Sequence, residues 1–98
     1  MSASVALNTD AGSARCLITG TLDFNTAREV LDSVTPYIAE HATLDIDLSG
    51  VTRANSAGLA LLIEWLATAR RVDHVVTFHH IPDGLRQLAG VCQVDGLI

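Results

Sequence analysis

Between Ser56 and Ala69 only Glu64 and Thr68 are polar. A helix turns 100° per residue, so Leu59, Leu62, Ile63, Leu66 and Ala69 would share an arc about 120° wide, enough to cover a sheet face. Leu61 and Trp65 stack one turn apart on another side, with Ala57 and Ala60 beside them. A surface helix with a single core face would carry charges at 57, 60, 61 and 65. The segment therefore leaves two courses. Other elements of the fold cover its second side, or that side docks on another protein. A tryptophan is the residue type that anchors interfaces, so we expect an exposed apolar patch centred on Leu61 and Trp65.

The surroundings of this helix read as a small α/β fold. Residues 4–7 and 15–20 favour strands and are split by Asn8-Thr9-Asp10-Ala11-Gly12, which predicts a hairpin. Asn25 or Thr26 opens a first helix whose apolar positions Ala27, Val30, Leu31 and Val34 have helical spacing. Pro36 should end or kink that helix near Thr35. Leu44, Ile46 and Leu48 alternate with Asp45 and Asp47, the period of a strand with one wet face. The long helix starts at Asn55 or Ser56 and ends with Arg70 and Arg71, where cations suit the dipole. A strand at 75–79 follows, and Pro82-Asp83 opens a last helix that Gly90 should stop. The order β-β-α-β-α-β-α favours parallel pairing across each strand–helix–strand unit. With 49% hydrophobic residues in a chain of 98, one domain spanning residues 1–98 can bury its own core.

Charge excludes some functions. Six arginines and no lysine stand against eleven acidic residues, a net −5. Without a basic stripe, nucleic acid is not an expected partner, whereas a basic protein surface would be attracted. The start of the chain has no basic region leading into an apolar one, and the longest uncharged stretch, 54–63, falls short of the ~20 residues that cross a bilayer. A soluble cytoplasmic protein without membrane insertion is expected. Cys16 and Cys92 lie in apolar contexts and read as buried free thiols.

Catalytic, metal and cofactor motifs are not found. His79 and His80 are adjacent on a strand, which predicts opposite faces and no shared metal. Asp45 and Asp47 share a face but have no neighbouring base or nucleophile, so they read as solvated strand residues. No phosphate-cradling glycine motif occurs, and Ser56 has no nucleophile-elbow context. Ser56 has a plain structural use, since a serine oxygen at a helix start accepts a bond from an orphan N–H. The same position would hold a phosphate well, against free N–H groups at the positive end of the dipole. Gly58 would leave the backbone there uncrowded.

The stretch DIDLSGVTRANSAGLALLIEW resembles the signature of STAS domains, the family of the bacterial anti-sigma factor antagonists. Its parts are Asp47-Leu48-Ser49, a short loop, then Asn55-Ser56-Ala57-Gly58-Leu59 opening a helix. The resemblance implies an α/β STAS fold, a mixed four- to five-stranded sheet with three to four helices. It implies a candidate phosphorylation site at Ser56, the serine on which the antagonists' switch falls. Asn55 replaces the family's aspartate, and it caps a helix without bringing charge, so a kinase that reads the acid would read this site poorly. The run 58–66 and the tail IPDGLRQLAGVCQVDGLI are similar to the MlaB branch, the STAS subunits of Mla phospholipid transporters. That branch implies a non-enzymatic accessory subunit, held at the inner membrane through an ABC transporter ATPase of the MlaF kind. The alternative is an antagonist that binds an anti-sigma factor kinase and is switched at Ser56. Either way the expected partner-binding residues are Asn55, Ser56, Ala57, Gly58, Ala60, Leu61 and Trp65, and no cofactor or metal is expected.

Overall fold

The computed structural model describes residues 2–10 and 13–98. Four strands and three helices follow one another as β1 (Ala3–Asp10), β2 (Ser13–Leu22), α1 (Ala27–Glu40), β3 (Thr43–Ala54), α2 (Ser56–Arg71), β4 (Val75–His79) and α3 (Asp83–Val91), closed by a 3-10 turn at Asp95–Leu97. The sheet order is β1-β2-β3-β4. β1 and β2 form the expected antiparallel hairpin, while β2–β3 and β3–β4 are parallel. Asn8, Thr9 and Asp10 belong to β1 rather than to a turn. Ala11 and Gly12, the rest of that expected turn, lie outside the described residues.

Both crossovers step in the same direction across the sheet. Because strand–helix–strand connections are right-handed, α1 and α2 fall on the same face. Alternation does the rest. Ala14, Cys16 and Ile18 of β2, Leu44, Ile46 and Leu48 of β3, and Val76 of β4 point under the helices and are buried. Arg15, Leu17, Asp45, Asp47 and Thr77 look out from a face that no helix covers. Two register shifts between β2 and β3 give β3 an extra residue each time, which carries its end at Ala54 up to the start of α2.

Three sequence expectations change. Pro36 lies inside α1, which runs on to Glu40. Its ring is exposed, and the Thr35 hydroxyl donates to the Leu31 carbonyl at 2.7 Å, holding the turn where the proline leaves a backbone bond unmade. Gly90 is the penultimate residue of α3, not its stop. Cys16 is buried as expected, and burial raises its thiol to a pKa of about 11, but Cys92 is exposed just beyond α3.

The largest change concerns the long helix. Trp65 is fully buried and Leu61 nearly so. α2 lies against β3 and β4 with α1 on one side and α3 on the other, so its apolar second side is covered from within. The buried residues of α2 are Ala57, Gly58, Leu59, Leu61, Leu62, Trp65 and Ala69, centred about 80° from the arc that periodicity alone selects. Of the expected arc, Leu59, Leu62 and Ala69 are buried, whereas Ile63 at its edge and Leu66 near its centre are only half-buried. Exposed patch and outer tryptophan are both corrected.

Candidate functional site

Asn55 caps α2. It stands in extended conformation, its side-chain oxygen accepts from the Ala57 N–H at 2.9 Å, and its own N–H donates to the Leu22 carbonyl at 3.1 Å. The second bond ties the helix start to the end of β2. Ser56, the first helical residue, is exposed, and its hydroxyl takes no bond from another described residue. The capping role expected of either residue thus falls to Asn55 alone. This leaves the Ser56 oxygen open to solvent at the positive end of the helix dipole.

The seven expected site residues separate. Asn55, Ser56 and Ala60 are exposed, and Ala57, Gly58, Leu61 and Trp65 are buried. Gly58 is there for close packing rather than for an open backbone. A Cβ built on it would stand 3.2 Å from Leu22 Cβ and 3.4 Å from Ala54 Cβ, so the first turn of α2 is pressed onto the ends of β2 and β3. Trp65 is too deep to meet a partner.

Beside Ser56 lies a groove of about 460 Å³ between α1 and α2, lined by Phe24, Ala27, Leu31, Ala57, Ala60 and Leu61, with Arg28 and Glu64 at its margins. Leu61 and Ala57 contribute only their edges to its floor. Phe24 is the apolar residue that stands out, 75% exposed. Its loop is pinned. The Asp23 carboxylate accepts from the N–H groups of Asn25 at 2.8 Å and Thr26 at 3.1 Å, and the buried Thr26 hydroxyl donates to the Thr21 carbonyl at 2.7 Å. A backbone fixed by such a loop has little conformational freedom left to lose on binding. Sequence reading missed Phe24, Arg28 and Leu31. Phe24 sits in a loop without periodicity, and the other two belong to this site only because α1 and α2 lie side by side.

The bare sheet face carries a polar network instead. Asp47 accepts from the Ser49 N–H at 2.9 Å and faces Arg15 and His80, each at 3.1 Å, while His79 Nε2 stands 2.8 Å from Asp45. The two histidines reach the same face, against the alternation expected of them. His80 lies just past β4 with φ +58, which swings its ring back over Asp47. The Ser49 N–H first, with His80 and Arg15 beside it, holds the Asp47 carboxyl well below the usual carboxylate range. Its ionised form is therefore favoured in the folded chain, and its contribution to stability is present at neutral pH and lost as pH falls below about 4. Asp47→Asn is expected to lower the urea midpoint near neutral pH, with the deficit narrowing in acid. A deficit that is constant with pH would show that the charge does not matter. No group of three or more potential metal ligands occurs among the described residues.

A family model described as the MlaB STAS domain matches residues 5–98. The chain belongs to the STAS family. Among solved structures it is similar to an anti-sigma factor antagonist from Mycobacterium paratuberculosis, with a TM-score of 0.80 at 20% identity, covering 98% of this chain and 82% of that one. It is also similar to the Bacillus cell fate determinant SpoIIAA in its phosphorylated form, with a TM-score of 0.71 at 11% identity over 95% of this chain and 86% of that one. The unphosphorylated form of SpoIIAA gives 0.68 at 12% identity, over 87% and 80%. At these identities the structures establish the fold, a mixed α/β sheet of the STAS type. No curated protein matches the chain. No helix among the described residues is long and apolar enough to cross a membrane.

The STAS site makes one prediction at Ser56. Ser56→Asp should leave the melting temperature unchanged or slightly raised, because the side chain is exposed and an acid suits that end of the dipole. A large drop would mean that the hydroxyl is engaged in the fold.

Proposed function

We propose that this STAS domain is a cytoplasmic, non-enzymatic accessory subunit. It binds the ATPase of an Mla-type phospholipid ABC transporter that maintains outer-membrane lipid asymmetry. The observation that carries the reading is the match to the MlaB type of STAS domain along residues 5–98. The groove beside Ser56 supports it with a surface of suitable character: an apolar floor, an exposed Phe24 on a hydrogen-bonded loop and flanking charges of both signs. A helix of the ATPase with an apolar stripe would fit between α1 and α2 as a third member of that layer. The chain's net −5 favours a basic rim on the partner. Membrane association then comes through the partner.

A second reading is supported by the free Ser56 hydroxyl: an antagonist that binds an anti-sigma factor kinase and is released when Ser56 is phosphorylated. Asn55 weighs against it, since the cap brings no charge for a kinase to read. Titration of the purified chain against the ATPase and against an anti-sigma factor kinase from the same cell, by calorimetry, separates the two. Saturable binding to the ATPase alone is expected. Binding to the kinase alone, abolished by Ser56→Glu, would replace the first reading with the second.

A further inference from the structure

We propose that the chain pairs with a second copy of itself along the outer edge of β1, joining two four-stranded sheets into one of eight strands. β1 is an eight-residue edge strand with β2 on one side and no strand on the other among the described residues. The Thr21 N–H donates to the Ser2 carbonyl, so the hydrogen-bonded pairs of this ladder fall on even residues of β1: Ser4 with Thr19, Ala6 with Leu17, Asn8 with Arg15. In an antiparallel ladder the alternate residues turn their backbone groups the other way. Ala3, Val5, Leu7 and Thr9 therefore present N–H and C=O groups outward in one line.

Nothing in the strand discourages pairing. Edge strands of monomers are commonly protected by lysine, proline, a bulge or short length. Residues 3–9 read ASVALNT, without charge or proline, in a chain of net −5. The β1–β2 register runs unbroken from Ala3 to Asp10, and the bulges lie between β2 and β3 instead. The opposite edge, β4, has only five residues.

The strand is also self-complementary. A two-fold axis through Ala6 sets Val5 opposite Leu7 of the second copy and Ala3 opposite its Thr9, so that every outward group meets an outward group. A shift of one residue would face outward groups with inward ones, and a shift of two would leave Thr9 unpaired. On the helix side the half-buried Val5 and Leu7 would cover each other, and on the open side Ser4 would meet Asn8 and Ala6 its own copy. No like charges meet between residues 3 and 9. This palindromic match favours a second copy over an unrelated extended segment. The pairing does not draw on the proposed partner site, since that groove is lined by Phe24 and by residues of α1 and α2, none of them in β1.

The test is sedimentation equilibrium of the full chain from low to high micromolar concentration, with amide exchange of β1 followed by NMR. A dimer is expected, with the Val5 and Leu7 amides exchanging slowly in the dimer and fast on dilution. Ala6→Lys puts two ammonium groups face to face at the axis and should raise the dissociation constant about fivefold or more, without altering the melting of the dilute monomer. A chain that stays monomeric at the highest concentration overturns the proposal. So does a dimer whose Val5 and Leu7 amides exchange fast, or one that Ala6→Lys leaves unchanged.

Discussion

Trp65→Ala should destabilise the chain by about 3–5 kcal/mol, as expected for deleting a fully buried large aromatic side chain. In a domain of this size that is a fall in melting temperature of roughly 15 °C or more. The indole lies where the sheet, α1 and α3 enclose α2, so its removal leaves a cavity the surrounding elements cannot close. Its Nε1–H meets no acceptor among the described residues, and an unmade bond of that kind costs about 1–3 kcal/mol in the folded state. Trp65→Phe removes that N–H together with some volume, so it should lose less than half as much stability as the alanine variant. Chemical denaturation of both variants measures the contrast. Equal losses would mean that the indole nitrogen is satisfied in solution, and a negligible loss for alanine would contradict its burial.

The second large effect is on partner binding. Phe24→Ala should weaken association with the ATPase by about tenfold or more, since an aromatic anchor at the centre of an interface typically carries ~2 kcal/mol. Ala60→Glu should do at least as much, by placing a charge on the apolar floor of the groove beside Glu64. Ala60 and Phe24 are both exposed, so neither variant should move the melting temperature appreciably. That separates them from Trp65, whose loss would reduce binding only by unfolding the domain. If both groove variants bind as the parent chain does, the docking surface lies elsewhere, and direct titration of the parent chain still decides the choice of partner.

Much of the architecture can be read from local pattern. The alternation at 44–48, the apolar run at 56–69 and the turn-forming residues between them specify a strand–loop–helix unit, because backbone periodicity forces side chains to one face or the other. The STAS motif at 47–59 is legible for the same reason: its asparagine cap, its glycine and its apolar residues each answer a local requirement at the junction of β3 and α2. Asp45 and Asp47 could be placed on a wet strand face by the period of two. His80 could not, because one residue at positive φ past the strand end cancels the alternation.

The side of α2 that meets solvent was not legible. A helical wheel ranks directions by hydrophobicity, and α2 is apolar through most of its turn, so the wheel has nearly equal solutions about 80° apart. Three elements distant in sequence choose between them: the sheet below, α1 on one side and α3 on the other. The groove and its exposed Phe24 arise in the same way, from the spacing of two helices and a loop clamped by Asp23 and Thr26. The sequence by itself determined the elements, their order, the family and the chemistry at the start of α2, because each follows from neighbours within a few turns of chain. Only the tertiary structure decided what α2 shows to a partner, because burial is set by contacts between segments that local periodicity does not describe.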